Sequence, residues 1–381
     1  MIYTVGQVNI VKANQTSEVF FFPYDRRRAF LKGLRTVFAK VAHVVSAGDS
    51  VAVKVHMGEY GGSAYLQPPI VRRVCDLIKE AGGKPFVTDT TTLYPLGRFT
   101  ASKYLATAAR NGFTEESLGA PVVIADGEQG YDGERAAIPV QVSDCPLDRI
   151  KVARRIYDAD SMIVVSHLKG HELAGFGGSI KNVAMGCVTK DSKGAQHRAN
   201  RAIIDISRCN GCGQCVEGCS FKALSIVDEK MVRDEEKCLD CSHCVYLCPE
   251  DVYSLPPGAK ERFQVFLAHA AAGVLSQFQS KVAFINFVQD VTRLCDCVAP
   301  SSFPVVPDIG ILASTDVVAV DKASLDLIAK TRPLGKFADI SSPDILGKIN
   351  GTDSLIQVRT AHELGLGNMT YELKKEDKNA K

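Results

Sequence analysis

The chain has 381 residues, of which 46% are hydrophobic and 23% charged, and 45 Lys and Arg side chains nearly balance 43 Asp and Glu side chains, giving a net charge of +2. This length suits two domains, or one large domain with an insertion. The balanced charge excludes a generic nucleic-acid binder, which needs a dominant basic surface. No apolar run reaches the roughly 18 residues needed to span a bilayer, and the first residues lack the basic and apolar regions of a signal peptide. We therefore expect a cytoplasmic protein without a membrane span and without a nucleic-acid partner.

Short apolar runs alternate with helical patterns in the first half of the chain. Runs typical of buried strands lie at Val51–Val55, Lys84–Thr88, Pro121–Ala125 and Met162–Ser166, and helical spacing of apolar residues predicts a helix over Pro69–Ala81. Apolar strands separated by helices indicate a parallel sheet that is covered on both faces. The predicted fold class is therefore α/β, with a parallel-sheet, Rossmann-like host.

The densest polar stretch, residues 167–201, directly follows the last of these strands. It contains six Lys or Arg residues, two acidic residues and three of the eight histidines. In open α/β sheets ligands bind beyond the carboxyl ends of the strands, and glycines let the backbone approach a ligand and offer N–H groups to an anion. We therefore predict that Gly175, Gly177, Gly178 and Lys181 bind a cofactor or a small anionic substrate. The spacing fits neither a P-loop nor a dinucleotide fingerprint.

Eight of the 13 cysteines lie between positions 209 and 248, in two copies of the pattern C-x2-C-x2-C-x3-C. A 4Fe–4S cube is held by three thiolates from a tight loop and one from a distant segment, and in two-cluster ferredoxins the fourth cysteine of each motif serves the other cluster. Structural zinc, which uses paired C-x2-C knuckles, is the alternative. The predicted ligands are Cys209, Cys212, Cys215 and Cys248 for one cluster, and Cys238, Cys241, Cys244 and Cys219 for the other.

The segment 206–255 resembles a bacterial-type two-cluster ferredoxin over its whole length, except that Ser220 stands where the first motif usually has a proline. The resemblance implies a small α+β domain inserted into the host. The predicted division is host residues 1–203, a ferredoxin-like insert at 204–256, host residues 257–373, and a disordered tail at 374–381.

The α/β pattern resumes after the insert. We predict an amphipathic helix at about 260–277, strands at 281–288 and 308–312, and a helix at about 317–330. Between the two strands, Cys295 and Cys297 form a C-x-C pair, whose two thiols can share a metal or act in redox chemistry. We predict this pair as a further metal site and keep the redox role open.

Several motifs together resemble the "domain of unknown function 362" family, whose members often carry a two-cluster ferredoxin. They are SHLKGHELAGFGGSIKNVAMGC at 166–187, VTDTTTLY at 87–94, the Cys295–Cys297 pair and PDIGILASTDVVAVDKASLDLI at 307–328. The stretch from His171 to Lys181, with His197 further on, is more remotely similar to the core of lactate-racemase-type enzymes. That resemblance implies three catalytic residues: Lys181 tethering a nickel–pyridinium cofactor, His197 binding the nickel, and His171 acting as acid or base. The second acid/base histidine of those enzymes has no counterpart in residues 88–94.

These patterns together predict an iron–sulfur protein that transfers electrons. The expected activity is that of an oxidoreductase acting on an anionic ligand in a cationic α/β pocket, with a redox protein as electron donor or acceptor. Two alternatives stay open: a non-catalytic electron carrier or assembly factor, and a racemase- or isomerase-like enzyme with a metal cofactor tethered at Lys181.

Overall fold

The structure, a computed structural model, describes residues 16–24, 30–297 and 302–376, which form 16 strands and 13 α-helices. The strands are β1 Ser17–Pro23, β2 Ser50–Val55, β3 Lys84–Asp89, β4 Val122–Ile124, β5 Gly133–Ala137, β6 Arg149–Ala153, β7 Ser161–His167, β8 Lys169–His171, β9 Gly175–Gly177, β10 Ile203–Ile204, β11 Leu224–Val227, β12 Lys230–Arg233, β13 Tyr253–Ser254, β14 Val282–Val288, β15 Gly310–Ser314 and β16 Tyr371–Lys375. The helices are α1 Phe30–Val41, α2 Pro68–Glu80, α3 Ala101–Arg110, α4 Glu115–Leu118, α5 Arg154–Tyr157, α6 Ser179–Gly186, α7 Lys190–His197, α8 Gln214–Glu217, α9 His243–Leu247, α10 Ala259–Leu275, α11 Val317–Ala329, α12 Ile345–Asn350 and α13 Ile356–Glu363.

The host is built on an eight-stranded sheet with the order β16-β1-β15-β14-β7-β2-β3-β4. The neighbours from β14 to β4 all pair in parallel, and β1 and β16 also pair in parallel with each other. Only β15 runs against both of its neighbours. The sheet grows from β2 towards β4 on one side and through β7 towards β14 on the other. The strand order therefore reverses between β2 and β7, and ligands of open α/β sheets bind in the crevice at such a reversal.

Helices cover both faces of the sheet, because alternate strand residues point to opposite sides. On one face, Val51, Val53 and Val55 pack in the same apolar cluster as residues of α1 and α2. On the other face, Met162 and Val164 share a cluster with residues of α6, α10 and α11. This double cover explains why the central strands are almost continuously apolar.

The cysteine-rich segment forms a small separate unit of α8, β11, β12 and α9. Its apolar centre contains Leu224, Met231, Val252 and Tyr253 around Cys215. The short antiparallel ladder β10–β13, in which Ile203 faces Ser254, joins the point where the chain leaves the host to the point where it returns.

The α/β prediction for the host is confirmed, and the predicted strands and helices recur within a few residues of their expected bounds. Three details differ. The sheet contains one antiparallel strand, β15. The helix α10 is buried on most of its surface, so it is not amphipathic. Lys374 and Lys375 belong to β16, which pairs with β1, so a disordered tail from 374 is wrong at these residues, and 377–381 lie outside the described residues.

Candidate functional site

The eight cysteines of the insert divide between two adjacent cavities. Cys209, Cys212, Cys215 and Cys248 line a cavity of about 310 Å³, including the part open to solvent. Cys219, Cys238, Cys241 and Cys244, with Cys215 at the border, line a second cavity of about 520 Å³. Each cavity thus takes three cysteines from one motif and the last cysteine of the other motif.

The two motifs share the same backbone turn around their second cysteine. In the first motif the residues before and after Cys212, Gly211 and Gly213, have φ values of +75° and +77°. In the second motif the equivalent residues, Asp240 and Ser242, have φ values of +53° and +59°. Non-glycine residues rarely adopt this conformation, so the second loop keeps the turn at a conformational cost. The two motifs therefore share this local backbone conformation as well as their cysteine spacing.

Backbone N–H groups donate hydrogen bonds to two of the cysteine sulfurs, and burial raises the pKa of two others. The N–H of Met231 lies 3.4 Å from Cys209 Sγ, and the N–H of Ala223 lies 3.3 Å from Cys219 Sγ. Burial raises the pKa of Cys241 to about 11 and that of Cys244 to about 12. These two residues are therefore neutral thiols at neutral pH, and any metal that binds them as thiolates must displace their protons.

A second polar site lies in the host, where the strand order reverses. Lys54 on β2 and Asp89 at the end of β3 form a buried ion pair of 3.0 Å, with side chains 1% and 5% exposed. Lys54 also donates to Asn182 Oδ1 at 2.6 Å, and the Tyr104 hydroxyl donates to Asp89. Burial alone would raise the pKa of Asp89, but Lys54 and His56 hold it below its usual value. The carboxylate therefore stays ionised.

Arg98, which precedes α3, connects the loops around this site. Its Nε donates to Glu59 Oε2 at 3.0 Å, its Nη1 lies 2.8 Å from His56 Nε2, and its Nη2 donates to the Cys297 carbonyl at 3.0 Å. The side chain is buried. Arg98 therefore fixes the loop after β2 against the loop that carries the C-x-C pair.

Asp296, between the two cysteines of that pair, anchors the loop to β7 and β8. Its carboxylate lies 3.1 Å from His167 Nδ1 and 3.0 Å from Lys169 Nζ. Burial opposes ionisation, yet His167 and Lys169 keep the pKa of Asp296 below its usual value. The loop is thus held to β7 and β8 through the Asp296 carboxylate.

The Cys295 and Cys297 thiols are hydrogen-bonded to each other and titrate in opposite directions. The hydrogen bond from Cys295 outweighs burial and, with the charges of Lys181 and His56, holds the pKa of Cys297 well below its usual value. The same hydrogen bond and burial raise the pKa of Cys295. Burial acts to lower the pKa of Lys181, but Cys297 and Cys295 outweigh it and the pKa is raised. Lys181 therefore stays an ammonium ion at neutral pH.

The glycine stretch forms a hairpin. Gly175 and Gly177 lie in β9, which pairs with β8. Gly175 has a φ of +70°, and a Cβ at this position would lie 2.4 Å from Ser354 Oγ. A Cβ on Gly177 would lie 3.2 Å from Cδ of Lys181. These glycines therefore make room for side chains of the protein itself.

The N-terminus of α6 has a partner within the chain as well. The N–H groups of Ser179 and Ile180 donate to the carboxylate of Asp321 at 2.8 and 2.9 Å. Asp321 also leaves no room for a Cβ on Gly178, which would lie 2.5 Å from its Oδ1. The predicted anion cradle is not supported at this helix end, and of the four residues predicted to bind an anion only Lys181 presents a charge.

Aromatic rings connect the host site to the second cysteine cavity. The ring of Tyr94, after β3, lies 6.3 Å from that of His243, which belongs to the second motif, and 6.4 Å from that of His197. Burial, together with the charges of Cys241 and Cys297, raises the pKa of Tyr94. Tyr94 therefore interacts with residues of both the insert and the C-x-C pair.

His197 and His171 pack against Phe263, with ring centroids 5.0 and 6.4 Å from it. Burial and the nearby Lys181 lower the pKa of His197 to about 4 and that of His171 well below its usual value. Both imidazoles are neutral at neutral pH, so either can accept a proton but neither can donate one as an imidazolium.

The structure brings together four of the eight predicted host residues, His171, Lys181, Cys295 and Cys297, in what we call the host cleft. It is bordered by the partly exposed residues His56, Tyr94, His171, Lys181, Cys295 and Cys297. Four further residues of this region, Lys54, Asp89, Arg98 and Tyr94, were not among the sites predicted from the sequence. The sequence carried two signals for them: Asp89 directly follows a predicted strand, and Asp89 and Tyr94 both belong to the VTDTTTLY motif at 87–94.

The described residues contain neither a ready-made site for a single metal ion nor a helix that could span a membrane. In the described parts of the chain, no three His, Cys, Asp or Glu side chains converge closely enough to hold a single metal ion. Within the same residues, no helix is both long and apolar enough to cross a bilayer.

The fold and the site define an α/β protein with a mostly parallel sheet and a cysteine-rich insert facing a cleft at the reversal of strand order. The chain belongs to the DUF362 family, described as a domain of unknown function, whose model matches residues 51–326. The predicted family is thereby confirmed.

Curated relatives match parts of the chain. A 54-residue stretch is 39% identical to one of the subunits of the Na(+)-translocating ferredoxin:NAD(+) oxidoreductase complex of Acetobacterium woodii, covering 14% of this chain and 16% of that protein. A 177-residue stretch is 27% identical to a thylakoid-associated protein of Synechocystis sp., covering 44% and 49%. A 55-residue stretch is 34% identical to a ferredoxin of Methanothermococcus thermolithotrophicus, covering 14% of this chain and 92% of the ferredoxin. The chain therefore contains a ferredoxin-related stretch, and it spans less than half of the first two relatives.

Two solved structures match most of the chain at low sequence identity. The lactate racemase apoprotein from Thermoanaerobacterium thermosaccharolyticum is 10% identical with a TM-score of 0.36, over 83% of this chain and 58% of that chain. A protein from Thermotoga maritima is 11% identical with a TM-score of 0.38, over 77% and 58%. Both similarities concern the fold alone.

Proposed function

We propose that the protein binds two 4Fe–4S clusters and transfers electrons between a redox partner protein and the host cleft. The observation that carries this proposal is the division of the eight cysteines into two sets of four, each lining its own cavity. When bound, a 4Fe–4S cluster accepts and gives up one electron at a time. The ligands would be Cys209, Cys212, Cys215 and Cys248 in the first cavity, and Cys219, Cys238, Cys241 and Cys244 in the second.

The residues present fit such clusters in three respects. The donor set of each cavity is four thiols, the usual set for a 4Fe–4S cluster. Backbone N–H groups point at Cys209 and Cys219 Sγ, and hydrogen bonds to sulfur are one means by which proteins tune cluster potentials. The absence of three converging ligands for a single ion among the described residues is in keeping with thiols spaced around a larger object rather than around zinc.

Paired substitutions test both the clusters and the ligand assignment. After anaerobic reconstitution we expect about eight iron atoms and eight sulfides per chain. The variant C209A/C248A removes two ligands of one proposed site and should retain about four iron atoms. The variant C209A/C219A removes one ligand from each site and should lose most of its iron. The control Cys145→Ala, which changes a host cysteine, should keep the full content.

The opposite result for the two double variants would mean that each motif binds its own cluster through its own four cysteines. Zinc in place of iron, or a full iron content in both double variants, would overturn the proposal.

We also propose that the host cleft acts on a small anionic ligand. The ammonium group of Lys181 and the guanidinium of Arg98 supply the positive charge, and the neutral His171 and His197 supply proton acceptors. Thermal unfolding with lactate, malate or citrate should show stabilisation of the wild type by at least one of them. That stabilisation should be lost in Lys181→Met and kept in the control Lys336→Met. No stabilisation by any of the three acids would favour the non-catalytic carrier.

A further inference from the structure

We propose that Cys295 and Cys297 are a redox-active dithiol, which cycles with an internal disulfide and takes its electrons from the ferredoxin-like insert. This inference rests on the proposed clusters, because they supply the electrons. The expected oxidant is a low-molecular-weight disulfide that carries carboxylates.

The first observation is the arrangement of the two sulfurs. Cys295 and Cys297 are separated by one residue, and each thiol shifts the pKa of the other. Both are partly exposed, whereas the other three host cysteines, Cys75, Cys145 and Cys187, are buried in apolar clusters. The pair is thus the one place in the described host where two thiols adjoin and a small molecule can reach them.

The second observation is that the backbone of the pair is fixed while its thiols stay in the cleft. Asp296 is held by His167 and Lys169, and the Cys297 carbonyl accepts a hydrogen bond from Arg98. Such anchoring keeps both sulfurs in place whether the S–S bond is formed or broken. Among the described residues, no three His, Cys, Asp or Glu side chains converge at the pair closely enough to hold a single metal ion.

The third observation is the position of the pair relative to the insert. The ring of Tyr94 contacts that of His243 in the second cysteine motif, at 6.3 Å between centroids. The Tyr94 hydroxyl interacts electrostatically with Cys241, a proposed cluster ligand, and with Cys297 and Cys295 of the pair. On this inference, Tyr94 is the side chain through which electrons pass from the second cavity towards the two sulfurs.

The fourth observation concerns the charge around the pair. Lys181 interacts with both thiols, and the Arg98 guanidinium donates to the Cys297 carbonyl. A disulfide that bears carboxylates would find positive partners at this site, and a cationic one would be repelled.

The proposed reaction cycle has a reductive half, in which the disulfide of the pair is opened, and an oxidative half, in which it forms again. The Cys295–Cys297 disulfide takes up two electrons, one at a time, from an external one-electron donor protein through the insert, and two protons from solvent; its S–S bond breaks to give two thiols. One thiol loses its proton as it attacks a sulfur of the external disulfide, and the first product leaves as a thiol. The second cysteine then attacks the mixed disulfide, the second product leaves as a thiol, and the Cys295–Cys297 bond forms again.

Peptide mass spectrometry can follow the pair in the reconstituted holoprotein. Trypsin releases the peptide 294–322, which contains only these two cysteines, and the peptide 182–190, which contains only Cys187. After anaerobic treatment with oxidised glutathione, denaturation and alkylation with N-ethylmaleimide, we expect peptide 294–322 to carry no adduct. Peptide 182–190 should carry its single adduct throughout.

Reduced methyl viologen, a one-electron donor, should then restore two adducts on peptide 294–322. In Tyr94→Leu, which keeps all the cysteines, the restoration should be slower at unchanged iron content. In C209A/C219A the disulfide should form but not be restored.

The outcomes separate the two proposals because iron is measured on the same samples. If iron is present in full but the peptide keeps two adducts after oxidised glutathione, the dithiol inference is overturned and the clusters stand. Equal restoration rates in the wild type and C209A/C219A overturn the electron route. A wild type that holds no iron overturns the proposed function itself.

Discussion

Replacing Lys54 by Met removes the cation from the buried ion pair with Asp89 while keeping most of the aliphatic side chain. The Nζ–Oδ1 distance is 3.0 Å, and water reaches almost none of either side chain. Breaking such a pair by removing one partner usually costs about 3–5 kcal/mol, because a charge stays buried without compensation.

Proton uptake by Asp89 sets an upper limit on this cost. Protonating a carboxyl group of ordinary pKa costs about 4 kcal/mol at pH 7 and about 2 kcal/mol at pH 5.5, at 1.36 kcal/mol per pH unit. In the wild type the pKa of Asp89 is lowered, so the pair contributes stability throughout this range and loses it only as the pH falls through the native pKa. The loss of stability in the variant should therefore shrink from about 4 to about 2 kcal/mol between pH 7 and pH 5.5.

Urea unfolding of the holoprotein, followed by far-UV circular dichroism at the two pH values, measures this loss. Lys374→Met is the matched control, because Lys374 forms an exposed pair with Glu372 and should change stability by less than about 0.5 kcal/mol. A loss below about 1 kcal/mol at pH 7, or the same loss at both pH values, would refute the reasoning.

Three further outcomes follow from the structure. His197 has a pKa of about 4 in the native state, so it is neutral there and takes up a proton more readily in the unfolded chain. The wild type should therefore lose stability as the pH falls below 6.5, and its advantage in unfolding free energy over His197→Gln should shrink by about 2 kcal/mol between pH 7 and pH 5 in urea titrations. Parallel curves of stability against pH for the two proteins would contradict this. Gly170→Ala places a Cβ 2.1 Å from the Arg293 carbonyl and should lower the urea midpoint, with a cost of about 1–3 kcal/mol; an unchanged midpoint would show that the contact relaxes freely. Because burial raises the pKa of Cys241 and Cys244, iron uptake by the apoprotein should be weaker at pH 6.5 than at pH 8.5. Equal uptake at the two pH values would mean that iron binding does not displace protons from these thiols.

The strands of the host could be predicted from the sequence because a strand buried on both faces must be apolar almost throughout. Val51–Val55 and Met162–Ser166 are such segments, and both lie within strands of the structure. The reversed direction of β15 could not be predicted, since an apolar strand carries no mark of its direction. The strand β16 is half-exposed and rich in charge, so the sequence contains no apolar run that would predict a strand there or its pairing with β1.

The site was predictable only where the ligands lie close together in sequence. The spacing of the insert cysteines indicates shared loops, and the structure gathers the same residues around two cavities. Arg98 and Lys54 come from separate loops and strands, and their importance depends on partners such as Glu59 and Asp89 that the sequence does not place beside them. The glycines at 175–178 were predicted from the sequence to let the backbone approach a ligand. In the structure they accommodate Ser354 and Asp321, which lie far away in the chain and which the sequence does not place beside them.

The ladder between β10 and β13 has a consequence for the evolution of such chains. Ile203 and Ser254 are neighbours, so a short turn between them would close the host without changing the order of its eight strands. We therefore expect that a chain in which a short turn replaces the cysteine-rich unit keeps the connectivity of the host. A different unit inserted at the same point would need an aromatic side chain in place of His243 to keep the contact with Tyr94.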